Sequence, residues 1–331
     1  MQKKEGDYMP FKSTKQTKPI KSIKSKPTKG TKTDGLFKSI KKESSYITGS
    51  LDKYLTELNS NDNDRAIDVN APSTIGSCSR AIYYSRMGIK ADNNFIEPRT
   101  RRIFDNGHYM HERIQKYLLD ADILLMDEVP VRSDKYNIQG HTDGIISIDK
   151  NTGELGVLEL KSINDDNFKD LRDAKHEHKQ QGLIYAYCLE ERRKYLHDNY
   201  SSSNLLTRSI KTRINYFKSL YIHLTDGNKY TKEEKLDNKI NQHIKLDNLL
   251  FKCHLPITKV VIVYENKNDQ NMKEFVIDMA LQDNKNILHQ LLIQCENVNK
   301  AVMTNQSPPR EEQNKSDTVC RWCNYRVQCW G

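Results

Sequence analysis

Asp143, Glu159 and Lys161 are the residues of this 331-residue chain whose types and spacing most directly suggest chemistry. They lie in two apolar runs, residues 140–148 and 155–163, separated by Asp149-Lys150-Asn151-Thr152-Gly153. The runs read as strands and the separator as turn chemistry, which predicts a β-hairpin. Side chains alternate faces along a strand, so Glu159 and Lys161 project together while Leu160 points the other way, into the core. A turn centred on Asn151 puts Asp143 opposite Glu159 on the same face, with Cβ atoms about 5 Å apart. Two carboxylates that close repel each other unless a cation lies between them. Hard oxygen ligands with open positions suit Mg²⁺ or Mn²⁺. A lysine beside such a metal can orient or deprotonate a water and stabilise charge developing on a phosphate. These parts fit metal-assisted phosphodiester hydrolysis. Taken alone, an Asp followed by Glu-x-Lys is a loose pattern, equally compatible with a solvated strand face carrying an ordinary ion pair.

The elements that must hold these residues are legible around them. Ser77–Gly88 reads as a short helix ending at Gly88. Gly107–Leu119 places Met110, Ile114, Tyr117 and Leu118 at helical spacing, predicting a buried stripe. Ile123–Val131 reads as a strand, and Ala174–Leu196 as a helix with Gln181, Tyr185 and Cys188 on one side. Thr258–Tyr264 and Lys273–Met279 are predicted to pair as strands, ahead of a long helix over Lys285–Met303. Folded sequence begins near Ile47 to Tyr54, and residues 59–70 look like a polar linker. The polar, Lys/Asn-rich stretch 197–257 is expected to be a helical insertion. The resulting organisation is a basic tail over 1–46, a first helix and linker over 47–72, and a core over 73–196. The insertion follows over 197–257, the remaining strands and helix over 258–303, and a cysteine-rich end over 304–331. No internal repeat is apparent. The fold class expected is α/β, a mixed central sheet flanked by helices.

Four motifs in order resemble the RecB-type nucleases of the PD-(D/E)XK superfamily. These are Gly107-His108-Tyr109-Met110-His111, Gly140-His141-Thr142-Asp143, Glu159-Leu160-Lys161 and Gln181-Gly182-Leu183-Ile184-Tyr185. The resemblance covers about residues 73–190 and resumes at 320–330. It implies a restriction-endonuclease-like core in which Asp143 and Glu159 are the principal Mg²⁺ or Mn²⁺ ligands and His111 is a further one. The Leu160 backbone carbonyl would complete the ligand set, Lys161 would activate water, and Gln181 and Tyr185 would line the site and position Lys161 or the DNA strand. Without that context His111 reads as a helix-surface histidine and Tyr185 as a core aromatic. His178, three residues before Gln181, is shared with the family and has no role derivable from its place in the sequence.

Seven cysteines occur, at 78, 188, 253, 295, 320, 323 and 329. Cys188 lies in an apolar helix and reads as a buried structural thiol; Cys253 and Cys295 show no partner pattern. The Cys320-x2-Cys323 step lets two thiolates reach one metal centre, and Cys329 adds a third. Spacing leaves the fourth ligand open, with Cys78 a candidate. The resemblance supplies the link: iron–sulfur members of the group, such as the nuclease of CRISPR spacer acquisition and the AddB-type helicase–nucleases, carry one Cys before the core and three after it in this spacing. A [4Fe–4S] cluster on Cys78, Cys320, Cys323 and Cys329 is expected, with zinc on the same four residues as the alternative and disulfides a lesser one. The cluster's expected role is to join the first helix of the core to the C-terminus.

Charge is unevenly placed. The whole chain carries +9, and residues 1–42 hold thirteen Lys against Glu5, Asp7 and Asp34. The rest is therefore close to neutral. The tail is too polar to bury a core and is expected to be disordered, either as a plain solvated tail or as a loose tether to a polyanion such as DNA. Arg80, Arg86, Arg101, Arg102 and Arg321 are candidate phosphate contacts along a DNA channel. Each could equally serve packing or a solvated surface. No apolar run is long enough for a membrane span, and no secretory signal is present, so the expectation is a cytoplasmic protein. The function expected is Mg²⁺- or Mn²⁺-dependent exonuclease action on single-stranded DNA or DNA ends, with a helicase or recombination protein as a conceivable partner. The alternatives are a catalytically silent DNA-binding module and a sequence-specific endonuclease of the same superfamily.

Overall fold

The computed structural model describes residues 46–60, 68–92, 95–200, 229–312 and 314–331. The expected disorder of residues 1–45, and the parts of the linker and insertion at 61–67 and 201–228, lie outside the described residues. Helix α1 spans Tyr46–Ser60, α2 Ser79–Arg86 and α3 Pro98–Asp120. Three strands follow, β1 (Leu124–Ser133), β2 (Ile138–Asp149) and β3 (Glu154–Ile163). Helices α4 (Asp165–Asp170), α5 (His176–Asn199) and α6 (Lys229–Lys252) precede β4 (Lys259–Asn266) and β5 (Met272–Asp278). The chain closes with α7 (Gln282–Thr304), α8 (Thr318–Arg321) and α9 (Arg326–Trp330).

The five strands form one mixed sheet in the order β1-β2-β3-β4-β5. Neighbours are antiparallel except β3 and β4, which run parallel. A parallel pair needs a long crossover, and α4, α5 and α6 supply it. The β2–β3 register pairs Gly144 with Leu158, Ile145 with Val157 and Ile146 with Gly156. This is the alignment expected from a turn at Asn151, so Asp143 and Glu159 come next in register where the ladder ends. Gly153 in the turn has φ +75°, a conformation in which any Cβ is strained.

Strand alternation divides the core between two faces. Leu158, Leu160, Ile146 and Val261 pack with Met110 and Ile114 of α3. Val157, Ile145, Val260, Ile262 and Tyr264 pack with Leu183, Ile184, Leu189 and other residues of α5 to α7. Glu159 and Lys161 share parity with Val157 and face α5. Two details depart from the sequence reading. Tyr117, expected in the buried stripe of α3, is 58% exposed, because the stripe turns away from the sheet at the end of the helix and leaves Leu118 as its last packed residue. Helix α6, expected within an insertion outside the core, buries Leu246 and Leu250 completely in the main core, each worth roughly 1.5–3 kcal/mol of transfer free energy.

Candidate functional site

The strand β2 carries Asp143, β3 carries Glu159, Leu160 and Lys161, α3 carries His111, and α5 carries Gln181 and Tyr185. The fold brings these four elements to one place. His111 Nδ1 lies 3.1 Å from Asp143 Oδ1. The other oxygen of Asp143 accepts the Leu160 backbone N–H at 2.5 Å, so this carboxylate closes the gap where the two strands stop pairing. Lys161 Nζ lies 2.5 Å from Glu159 Oε1 and donates to Gln181 Oε1 at 3.1 Å. Gln181 Nε2 in turn donates to the Tyr185 hydroxyl at 2.7 Å. Every residue the sequence assigned to the catalytic set therefore belongs to one of two short hydrogen-bonded chains, joined through the adjacent residues Glu159, Leu160 and Lys161. Tyr185 is both a core aromatic and a site residue, since its ring is buried and its hydroxyl takes part.

Burial dominates the electrostatics. Glu159 is only 2% exposed. Its pKa is pushed up to about 7, first by burial and next by the charge of Asp143, against the opposing pull of Lys161. Burial works to lower the pKa of His111, yet the hydrogen bond to Asp143 and the charges of Asp143 and Glu159 together raise it. The Tyr185 phenol is pushed up by burial and then by Glu159, so it stays protonated.

Two further residues at the site were missed by sequence reasoning. Gln115, one turn after His111 on α3, is buried and donates to the Asp143 backbone oxygen at 2.9 Å and to Glu128 Oε1 at 3.0 Å. Glu128 sits in the middle of β1 with φ +44°, between the pairs Asp127–Gly144 and Val129–Thr142, and so lies beside Asp143. A non-glycine residue in this conformation costs roughly 1–2 kcal/mol, and such outliers concentrate at functional sites. The i+4 spacing from His111 was the available signal for Gln115. Glu128 had none, because a left-handed residue breaks the strand alternation on which its placement would rest.

Asp143, Glu159 and the Leu160 carbonyl are oxygen donors of the kind a hard divalent cation takes, with His111 beside them. Among the described residues no three His, Cys, Asp or Glu side chains converge closely enough to hold a metal ion as they stand. Lys161 shares an oxygen of Glu159, so this lysine must move aside for a cation to reach both carboxylates.

Cys78, Cys320, Cys323 and Cys329 line a single cavity together with Arg80, Tyr84, Tyr325 and Trp330. The fold brings residues 78 and 329 together through α2 and the C-terminal knuckle. Tyr84 packs on Tyr325 with ring centroids 5.8 Å apart, and the Asp92 backbone N–H donates to the Asn324 carbonyl at 2.6 Å. The sulfurs also receive donors. The Tyr325 backbone N–H lies 3.4 Å from Cys323 Sγ, and Arg80 Nη1 lies 3.7 Å from Cys329 Sγ. Burial pushes the Cys78 thiol up. The donor set suits a thiolate-bound metal centre once the four sulfurs close around it. The remaining cysteines, Cys188, Cys253 and Cys295, are buried elsewhere.

The candidate DNA-contact arginines are mostly engaged within the chain. Arg80 donates to the Pro308 carbonyl and the Ser307 hydroxyl, each at 2.8 Å. Arg86 bridges Asn299, Asn70 and the Asp68 carbonyl, and burial lowers its pKa. Arg101 pairs with Asp105, Arg102 pairs with Asp52 on α1, and Arg321 donates to the Ser316 carbonyl. Arg86 thereby cross-links α2 and α7 through Asn299.

No protein-family model matches the chain, and no curated protein does. Among solved structures, that of SSO0001 matches it at 16% identity with a TM-score of 0.40, over 86% of this chain and 95% of that one. A likeness at that score carries no argument about function. No described helix is long and apolar enough to cross a membrane.

Proposed function

We propose that this protein is a Mg²⁺- or Mn²⁺-dependent DNA nuclease with a PD-(D/E)XK-type core, acting on single strands or ends, and that its four clustered cysteines hold a [4Fe–4S] cluster. The observation that carries the reading is the convergence of Asp143, Glu159 and Lys161 with His111, Gln181 and Tyr185. Strand and helix periodicity alone brings Glu159 beside Lys161 and Gln181 beside Tyr185, whereas the contacts from His111 to Asp143 and from Lys161 to Gln181 join separate elements, and these support the reading. Asp143, Glu159, the Leu160 carbonyl and His111 would hold the cation. When bound there, it supplies Lewis-acid stabilisation of phosphate charge and a water of lowered pKa.

The protein's own groups have separable tasks. Gln181 holds the Lys161 ammonium from behind, and Tyr185 fixes the orientation of Gln181 by taking its amide hydrogen. Once a cation displaces it from Glu159, Lys161 would stay tethered to Gln181, where it can orient the attacking water and sit against the phosphate oxygens. Asp143, tied to the Leu160 amide, keeps the two strands in register at the site. Gln115 anchors the Asp143 backbone from the opposite helix. The cysteine cavity lies where α2 meets the C-terminal segment, and the cluster would fasten those segments across some 250 residues of chain, a structural task.

The test uses anaerobically purified full-length protein on end-labelled linear single- and double-stranded DNA, with a closed single-stranded circle alongside. Metal-dependent shortening of the linear strands, abolished by EDTA and absent on the circle, is the expected result. Cutting of the circle or at defined duplex sites would favour an endonuclease. A folded protein that binds DNA and cuts nothing would favour the silent binding module. Iron in place of zinc in the purified protein, with visible thiolate–iron absorbance, is expected for the cluster.

A further inference from the structure

Tyr264 stands on β4 directly beside Lys161 in the parallel register, and it is completely buried. Its hydroxyl oxygen accepts the Lys175 backbone N–H at 2.9 Å and lies 2.8 Å from Nδ1 of His178. The two rings face each other with centroids 5.5 Å apart. A phenol carries one hydrogen, and a buried hydroxyl hydrogen needs an acceptor. The backbone N–H is itself a donor, and no other acceptor for this hydroxyl is present among the described residues. The hydrogen must therefore go to Nδ1, which has to carry a lone pair, and the remaining hydrogen of a neutral imidazole then sits on Nε2. His178 is thereby fixed as one tautomer with an N–H donor at its far nitrogen.

That donor has no partner among the described residues, and the side chain is only half-buried. His178 lies one helical turn before Gln181 on α5, the residue whose oxygen takes the Lys161 ammonium. The groups around the imidazole are Lys161 from β3, Tyr264 from β4, and Lys175 and Glu177 at the start of α5. Burial, and then the charge of Lys161, push its pKa down to about 4, so the ring is neutral at physiological pH. A neutral, orientation-locked donor beside an ammonium suits an anionic oxygen that Lys161 also attracts.

We propose that His178 is a substrate-binding residue whose Nε2–H donates to a non-bridging phosphate oxygen of the DNA strand held at Lys161, with Tyr264 as the positioning residue that locks the tautomer. The inference rests on the nuclease reading and adds to it a contact that no charge pattern would reveal, since the donor is uncharged. It also explains why a tyrosine with no route to solvent stands behind the site.

Two measurements test it. Nitrogen-15 spectra of the full-length protein, with the His178 signals assigned by comparison with His178→Gln, should show a bare Nδ1 and a protonated Nε2, unchanged from mildly acidic to mildly alkaline pH. Steady-state cleavage of a single-stranded oligonucleotide should show KM raised about tenfold in His178→Ala with kcat changed much less, as for a hydrogen bond to a charged group that is made equally before and during reaction. His178→Gln, which can place an N–H near the Nε2 position, should recover most of the loss. Tyr264→Phe should give a mixture of tautomers and an intermediate KM. An Nδ1–H tautomer, a titration near the ordinary histidine value, or equal losses in the Ala and Gln variants would overturn the inference. A cleaving wild type whose KM is indifferent to His178→Ala overturns this inference alone. A wild type that cleaves no DNA overturns the nuclease reading itself and the phosphate contact with it, whatever the tautomer.

Discussion

A carboxylate removed from water and set near another negative charge resists ionisation, and at Glu159 this resistance can be measured as stability. Its folded-state pKa of about 7 lies above the ordinary value of 4.5. Between those values the folded state binds more protons than the unfolded state, so stability falls as pH rises through this window. In EDTA, Glu159→Gln should therefore melt higher than wild type at pH 8, on the order of a few degrees, and the gain should vanish as pH falls below 4.5. A melting curve series across pH checks this; a variant less stable than wild type at pH 8 would show that the Lys161 ion pair outweighs burial. Lys161→Ala should lower kcat by about 10²–10⁴-fold, the usual range for a positioned proton-transfer group, and should also lower the melting temperature, since the buried Glu159 carboxylate loses its ion partner. How much of the site could be read from sequence follows from periodicity. The Asp143–Glu159 pairing was legible because a period of two and a Gly-containing turn fix a register. Glu128 was not, because φ +44° in mid-strand turns a residue off the face its number assigns.

At the scale of elements, the site depends on how closely α5 approaches the sheet. A Cβ on Gly182 would meet Cγ1 of Val260 at 2.6 Å, nearer than packing allows, so glycine here permits the helix carrying Gln181 and Tyr185 to lie against β4. Gly182→Val should cost about 1–3 kcal/mol by overpacking and reduce kcat by moving Gln181 away from Lys161. Val260→Ala combined with Gly182→Ala should recover part of the stability lost in Gly182→Ala alone, as expected for residues in direct contact. Thermal melts of the single and double variants check both; additive losses would contradict the contact. The strands and the helices α3, α5 and α7 were legible from apolar spacing. The role of α6 was not: its sequence is mostly polar and charged, and its packed face shows in a few apolar residues near its end, Leu246 and Leu250 with Leu249 and Phe251 beside them. Tertiary contact decides such a helix, and composition alone reads it as peripheral.

For the molecule as a whole, the four-cysteine cavity ties the beginning of the core to its end. Cys78 and Cys329 line one cavity although 251 positions separate them, and the Arg80 and Arg310 contacts to the C-terminal segment reinforce the junction. The spacing of the last three cysteines made them visible as a set; nothing local to Cys78 marked it as the fourth, since a contact between distant segments leaves no periodic trace. Cys78→Ser should lose bound iron and melt several degrees lower, by analogy with metal sites whose binding free energy contributes to folding. Cys188→Ser, in the buried helix α5, should keep the iron. Metal analysis of both variants separates a specific ligand from general thiol loss; iron retained in Cys78→Ser would contradict the assignment.

In the proposed mechanism Asp143 and Glu159 hold a catalytic cation while Lys161 acts on the reacting water or phosphate. Mn²⁺ binding by titration calorimetry, measured beside single-turnover cleavage of one single-stranded oligonucleotide, separates these roles in wild type, Asp143→Asn and Lys161→Ala. We expect wild type to bind and cleave, Asp143→Asn to lose both, and Lys161→Ala to bind Mn²⁺ as well as wild type or better while cleaving almost nothing. Cleavage by Asp143→Asn at the wild-type rate would contradict the claim.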